Sequence, residues 1–152
     1  VGIVVVGEQC LLTHSAEQRA THNEGRTAGV EKRDELGGAL QDDEQLSGPV
    51  LALLTSARQQ ESSGDLGSAS ASLERALRIA PREPQVLYRL AQVRLDQGDA
   101  AQAEQLAQRG LSYAAGRSAL QAGLWGLVAE ARERQGNTSG AAEARQRARV
   151  AL

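Results

Sequence analysis

The most reactive side chains in the sequence are Cys10, His14 and His22, all near the start of the chain. A thiol and two imidazoles are groups that bind zinc, and a cysteine beside a histidine forms a nucleophile–base pair. The spacing of these three residues matches no ordinary zinc module. The glycine-rich, charged sequence around them also offers no element that would hold them at hydrogen-bonding distance. We therefore predict neither a metal site nor a catalytic cysteine.

No other group of residues has the spacing of an enzyme site. The acidic run Asp42-Asp43-Glu44 is typical of a solvated linker. The sequence contains no phosphate-binding loop, dinucleotide fingerprint or serine-centred elbow, and Gly37-Gly38 is too isolated to form one. We therefore predict a protein that is not an enzyme and that uses no cofactor.

Arginines near the end of the chain form a candidate anion-binding patch: Arg132, Arg134, Arg145, Arg147 and Arg149. Three acidic residues interrupt this patch: Glu130, Glu133 and Glu143. The patch lacks the interleaved aromatic residues that would stack on bases, and the net charge of −2 is close to neutral. We predict no nucleic-acid binding.

Residues 1–48 differ from the rest of the chain in hydrophobic pattern and in charge. They show no sustained hydrophobic period and carry nine acidic against four basic residues. Such a stretch cannot bury enough apolar surface to offset the cost of ordering it, which predicts a flexible N-terminal segment or linker. Its apolar opening, residues 1–7, is a possible remnant of a secretion signal. The compartment stays open, although we favour the cell envelope over the cytoplasm, and membrane association would require a longer N-terminus.

From Pro49 onward, apolar residues recur with the 3.6-residue period of an α-helix. The pattern predicts six helices separated by short turns. Three of these turns share a glycine followed by a capping residue: Gly64-Asp65, Gly98-Asp99 and Gly136-Asn137. The glycines lie 34 and 38 residues apart, a period typical of stacked helical hairpins. We therefore predict an all-α solenoid of three helix-turn-helix hairpins.

Aligned on these turns, the chain resembles the tetratricopeptide repeat family. That family places small residues where its helices cross closely, and nine equivalent positions here are small: Ala57, Ala91, Ala129, Ala69, Ala103, Ala141, Ala76, Gly110 and Ala148. The resemblance implies a repeat domain over residues 49–152. Its units span about 50–83, 84–117 and 122–152, with residues 118–121 inserted before the third.

The resemblance also implies a binding surface, because partners of this family lie in a concave groove lined by the first helix of each unit. Carried over by position, the groove residues are Leu51, Leu54, Arg58, Glu61, Gln85, Tyr88, Gln92, Leu95, Gly123, Gly126, Glu130, Glu133 and Arg134. A clamp for a carboxylate tail is not expected, since Leu54, Arg58 and Gln92 stand where it would need Lys and Asn. The alternative is that Arg58 and Tyr88 are ordinary solvated residues.

Two functions follow as expectations. The first is a non-catalytic scaffold or adaptor that binds a peptide or helix of another protein in the groove. The second is a self-associating structural component, or an accessory protein of the cell envelope, that assembles through the ends of the repeat array. The arginines of the sixth helix favour a polar cap at that end, with docking as the alternative. We expect a monomer or weak self-association.

Overall fold

The computed structural model describes residues 46–152, which form six α-helices and no strand. The helices are α1 Gly48–Ser62, α2 Leu66–Ile79, α3 Pro84–Asp96, α4 Ala100–Ser112, α5 Ser118–Arg134 and α6 Thr138–Ala151. The predicted all-α solenoid of three hairpins is confirmed. The predicted flexible segment 1–48 lies, except for its last three residues, outside the described part of the chain. Cys10, His14, His22 and the acidic run 42–44 also lie outside it.

Each hairpin turn is built by the same two residues. The glycines adopt positive φ angles of 81° at Gly64, 87° at Gly98 and 80° at Gly136, a conformation that residues with a side chain rarely adopt. The next residue caps the following helix, because its side-chain oxygen accepts a hydrogen bond from the backbone N–H three positions later. These bonds measure 3.1 Å at Asp65, 3.0 Å at Asp99 and 2.9 Å at Asn137. The recurring sequence pair is thus a turn and cap that reverses the chain.

The first helices of the units begin in different ways. Pro49 and Pro84 lie in the first turns of α1 and α3, where a missing N–H costs nothing. Helix α5 begins at Ser118, so residues 118–121 form its first turn. Four residues add about one helical turn, which lengthens the helix and keeps its faces nearly in register.

Small residues allow the helices to pack closely. Of the nine small repeat positions, eight are buried and only Ala148, on α6, is partly exposed. The crossing of α4 and α5 shows why size matters here. A Cβ atom on Gly110 would lie 2.9 Å from Cδ2 of Leu124, which is itself fully buried. A larger residue at this position would push the two helices apart.

Helices pack against their neighbours along the chain, and α3 also contacts α5. Three ion pairs link successive units: Arg94 with Glu74 at 2.5 Å, Arg132 with Glu104 at 2.7 Å and Arg117 with Glu83 at 3.1 Å. Except for Glu74, these side chains are mostly buried. The first two pairs join α3 and α5 to the second helix of the unit before, and the third joins the residues that precede α3 and α5.

Candidate partner-binding surfaces

Equivalent positions on the three first helices carry polar side chains. Arg58 on α1, Gln92 on α3 and Glu130 on α5 are separated by the repeat spacings of 34 and 38 residues. Arg58 and Gln92 are partly exposed and Glu130 is exposed. We call these three residues the first-helix row. Its charge runs from positive on the first unit to negative on the third.

Four of the predicted groove residues are covered by the protein itself: Leu54, Gln85, Tyr88 and Leu95. Tyr88 is only 5% exposed. Its hydroxyl accepts a hydrogen bond of 3.2 Å from Nε2 of Gln92, and its ring lies against Gly123, where a Cβ atom would be 3.0 Å from Cε2. Tyr88 thus fills the space above Gly123 and joins α3 to α5. Because α5 covers it, Tyr88 is neither a solvated residue nor an anchor that a partner can reach.

Of the other predicted groove residues, Gly123 lies against the Tyr88 ring and the rest are exposed or partly exposed. Leu51 is 45% exposed. Glu130 and Arg134 form an ion pair of 2.6 Å within α5, and Nη1 of Arg134 also donates to the backbone oxygen of Leu95 at 2.6 Å. This second bond fixes the guanidinium at the end of α3. Partner binding by the accessible residues stays a prediction.

A cleft between α5 and α6 is a surface that the sequence did not indicate. We call it the tryptophan cleft; it has a volume of about 460 Å³ and is lined by Leu111, Gln121, Trp125, Gln146, Arg147, Val150 and Ala151. The guanidinium of Arg147 lies 4.9 Å from the ring centre of Trp125, within cation–π range, and also pairs with Glu143 at 2.9 Å. Trp125 occupies the repeat position of Leu87, which is fully buried, but Trp125 itself is partly exposed and lines this cleft.

A second cleft lies at the end of the array, on the other side of α6. We call it the end cleft; its volume is about 350 Å³ and it is lined by Gly126, Ala129, Glu130, Glu133, Arg145, Ala148 and Arg149. Arg145 pairs with Glu133 across the hairpin. Helix α6 buries only Ala141 and Ala144, and Leu152 beyond its end is 86% exposed. The last helix therefore combines charged and exposed apolar residues.

Two carboxyl groups have a shifted pKa, and both act in the fold. Partial burial raises the pKa of Glu104, but hydrogen bonds from Arg132 and Gln135 and the charge of Arg132 outweigh it, so the pKa is lowered. Hydrogen bonds from Ser68 lower the pKa of Asp65, the cap of α2. Neither group lines a cleft, so these shifts indicate structural roles.

Within residues 46–152, none of the helices has the length and apolar character needed to cross a membrane.

Comparison with known proteins places the chain in a family. The sequence model of the tetratricopeptide repeat matches residues 60–125. No curated protein matches the chain. Among solved structures, the globular C-terminal domain of P. aeruginosa LpoP is 77% identical; the match covers 70% of this chain and all of that one, with a TM-score of 0.68. The chain therefore belongs to the tetratricopeptide repeat family and is a relative of P. aeruginosa LpoP.

Proposed function

We propose that this chain is a non-catalytic adaptor that binds another protein along the first-helix row. The observation that carries the proposal is the recurrence of accessible polar side chains at one position of three consecutive first helices, Arg58, Gln92 and Glu130. Stacked repeats form extended surfaces of this kind, on which one ligand contacts several units. The fold supports binding in general, and the row supplies the specific site.

The charges of the row define the chemistry of the partner. Arg58 favours an acidic group at the first unit, while Glu130, which also pairs with Arg134, favours a basic group at the third. Gln92, between them, donates its amide N–H to the hydroxyl of Tyr88. A helical or extended segment with acidic and basic residues at opposite ends would match this order.

Crosslinking and affinity purification from cells that produce the protein would test the row. The double variant Arg58→Glu with Gln92→Ala should lose a partner that the wild type recovers. Tyr88 is unsuitable as a probe, because truncating a buried ring would leave a cavity in the fold. Arg75→Glu is the matched control, since Arg75 is exposed on α2 and receives the same charge change outside the row. Recovery of the same partners by the wild type and the double variant would contradict the proposal.

The tryptophan cleft is a second candidate site for a partner. The support for this site is that a partly exposed tryptophan lies in a mainly apolar cleft. Such clefts are typical of protein–protein interfaces, where they bind an anchor residue of the partner. Val150 is 76% exposed at the edge of this cleft, so Val150→Glu should leave the fold intact. If Val150→Glu abolishes recovery of a partner and the double variant of the row does not, the cleft is the binding site.

We also propose that the adaptor works in the cell envelope. The support is the apolar opening of the sequence, Val1-Gly2-Ile3-Val4-Val5-Val6, which has the composition of the apolar part of a secretion signal. Fractionation of cells that produce the native protein should recover it with the envelope. Recovery with the cytoplasmic fraction would contradict this part of the proposal. It would not affect the proposal that the first-helix row binds a partner.

A further inference from the structure

No contact within the described fold requires a glycine at position 126. This residue lies in the middle of α5, where glycine is less stable than alanine. At Gly110 and Gly123 an added Cβ atom would come within 3.0 Å of a neighbouring side chain, so packing explains these two glycines. At Gly126 an added Cβ atom would meet nothing within 4 Å. Within residues 46–152, the space next to Gly126 is therefore unfilled.

Comparison of equivalent positions in the second and third units shows which contact this space matches. Helix α5 packs on the second unit by placing Gly123 against Tyr88 and Leu124 against Gly110. Thirty-eight residues after Tyr88 comes Gly126, and 38 residues after Gly110 comes Ala148. Both of these equivalents line the end cleft. The end cleft is thus the place on the third unit where a following first helix would pack, and no helix of residues 46–152 fills it.

The first helix of a second copy has the right residue to fill the cleft. On α1 the position equivalent to Gly123 is Leu51, which is 45% exposed. Within one chain, the small Gly123 receives the large Tyr88. Between two copies the incoming helix carries the large residue instead: Leu51 of the second copy would lie over the small Gly126 of the first. The total volume at the contact is similar, which is what close packing of two helices requires.

Two further features of the ends agree with this contact. In the same register, Arg58 of the second copy would lie beside Glu130 of the first, so the facing charges are opposite. Leu152 is equivalent to Ala114, which is fully buried in the second unit, although Leu152 itself is highly exposed. A helix in the end cleft would cover Leu152 as well.

We infer that a second copy of this chain docks its α1 in the end cleft, so that copies associate head to tail. The contact is heterologous, with a different surface on each copy, so it does not close into a symmetric dimer. It joins one helix to one hairpin end and is correspondingly weak. The contact involves Arg58 and Glu130 of the first-helix row, but it does not require that another protein binds to the row.

Sedimentation velocity of the full chain over a wide concentration range tests this inference. The average mass of the wild type should rise with concentration. Gly126→Tyr fills the cleft and Leu51→Glu places a carboxylate over it and beside Glu130, so each should weaken the association by about tenfold or more. Gly67→Tyr is the matched control. Gly67 is exposed in the first turn of α2, its added Cβ atom makes an ordinary contact of 3.8 Å, and this variant should behave as the wild type.

Mixing the two variants gives the decisive result. The Leu51→Glu protein keeps a functional end cleft, and the Gly126→Tyr protein keeps a functional α1. At a concentration where the wild type associates, an equimolar mixture should therefore form mainly a one-to-one heterodimer, while the association of each variant alone should be weaker by about tenfold or more. Circular dichroism confirms that both are folded. A wild type that stays monomeric at every concentration, or a Gly126→Tyr protein that assembles like the wild type, would overturn the inference.

Discussion

At the scale of single residues, the glycines in the helices give opposite expectations. Gly126→Ala should raise the free energy of unfolding by about 0.5–1 kcal/mol, because alanine favours the helix and the added methyl group meets no neighbour. Gly110→Ala should lower it by about 1 kcal/mol or more, because the added methyl group would clash with Leu124. Urea denaturation at low protein concentration measures both. An equal effect of the two substitutions would contradict this account of the glycines.

The lowered pKa of Glu104 predicts a dependence of stability on pH. Its carboxylate is stabilised in the folded state by Arg132 and Gln135, so this contribution is present above the unfolded pKa and is lost as the pH falls through the folded value. Glu104→Gln should therefore be less stable than the wild type at pH 7. The difference should shrink once the pH falls below roughly 4.3, the ordinary value for glutamate. Urea denaturation across this range measures it, and a difference that does not change with pH would exclude the ionic contribution.

At the scale of the helices, the caps have a defined energetic effect. The side chain of Asp99 accepts a hydrogen bond of 3.0 Å from the N–H of Gln102 at the start of α4. Asp99→Ala should lower the free energy of unfolding by about 0.5–2 kcal/mol, since that N–H loses its partner. Gln105→Ala, at an exposed position of the same helix, should have almost no effect. Thermal or urea denaturation compares the two, and similar values would argue against the cap.

The helix crossings set limits on residue size. Leu90 and Ala91 are both buried in α3. Leu90→Ala should lower the free energy of unfolding by about 2–5 kcal/mol through the cavity it leaves. Ala91→Leu should lower it by about 1–3 kcal/mol through overpacking at the crossing. Small effects of both substitutions, measured by urea denaturation, would contradict the repeat register.

The helices and turns differ in how well the sequence alone predicted them. Turn glycines, caps and small crossing residues act locally, so residues such as Gly98 and Ala91 predicted the hairpins correctly. The groove was harder to predict, because exposure depends on which neighbouring helix covers a position. Gly123 was predicted to line the groove, but the sequence did not show that the ring of Tyr88 lies against it. The tryptophan cleft was not predicted, because the exposure of Trp125 depends on how α6 packs beside α5.

At the scale of the whole molecule, burial is uneven along the array. Helix α3 has nine buried residues, whereas α6 has only two. Local opening costs least where few apolar contacts are lost, so amide hydrogens in α6 should exchange faster than those in α3 by about tenfold or more. Hydrogen exchange followed by mass spectrometry at low protein concentration measures this gradient. Equal protection of the two helices would indicate a single cooperative unit.

The contact between Tyr88 and Gly123 has a consequence for the number of repeats. In an array lengthened by duplicating the middle unit, the residue that meets Tyr88 would be Gln85, which occupies the position of Gly123. A glutamine side chain does not fit where a single Cβ atom already comes within 3.0 Å of the ring. A duplication would therefore have to be accompanied by a change to a small residue at that junction. This one contact makes the three units non-interchangeable, and it opposes gain of a repeat by simple duplication in evolution or in engineering.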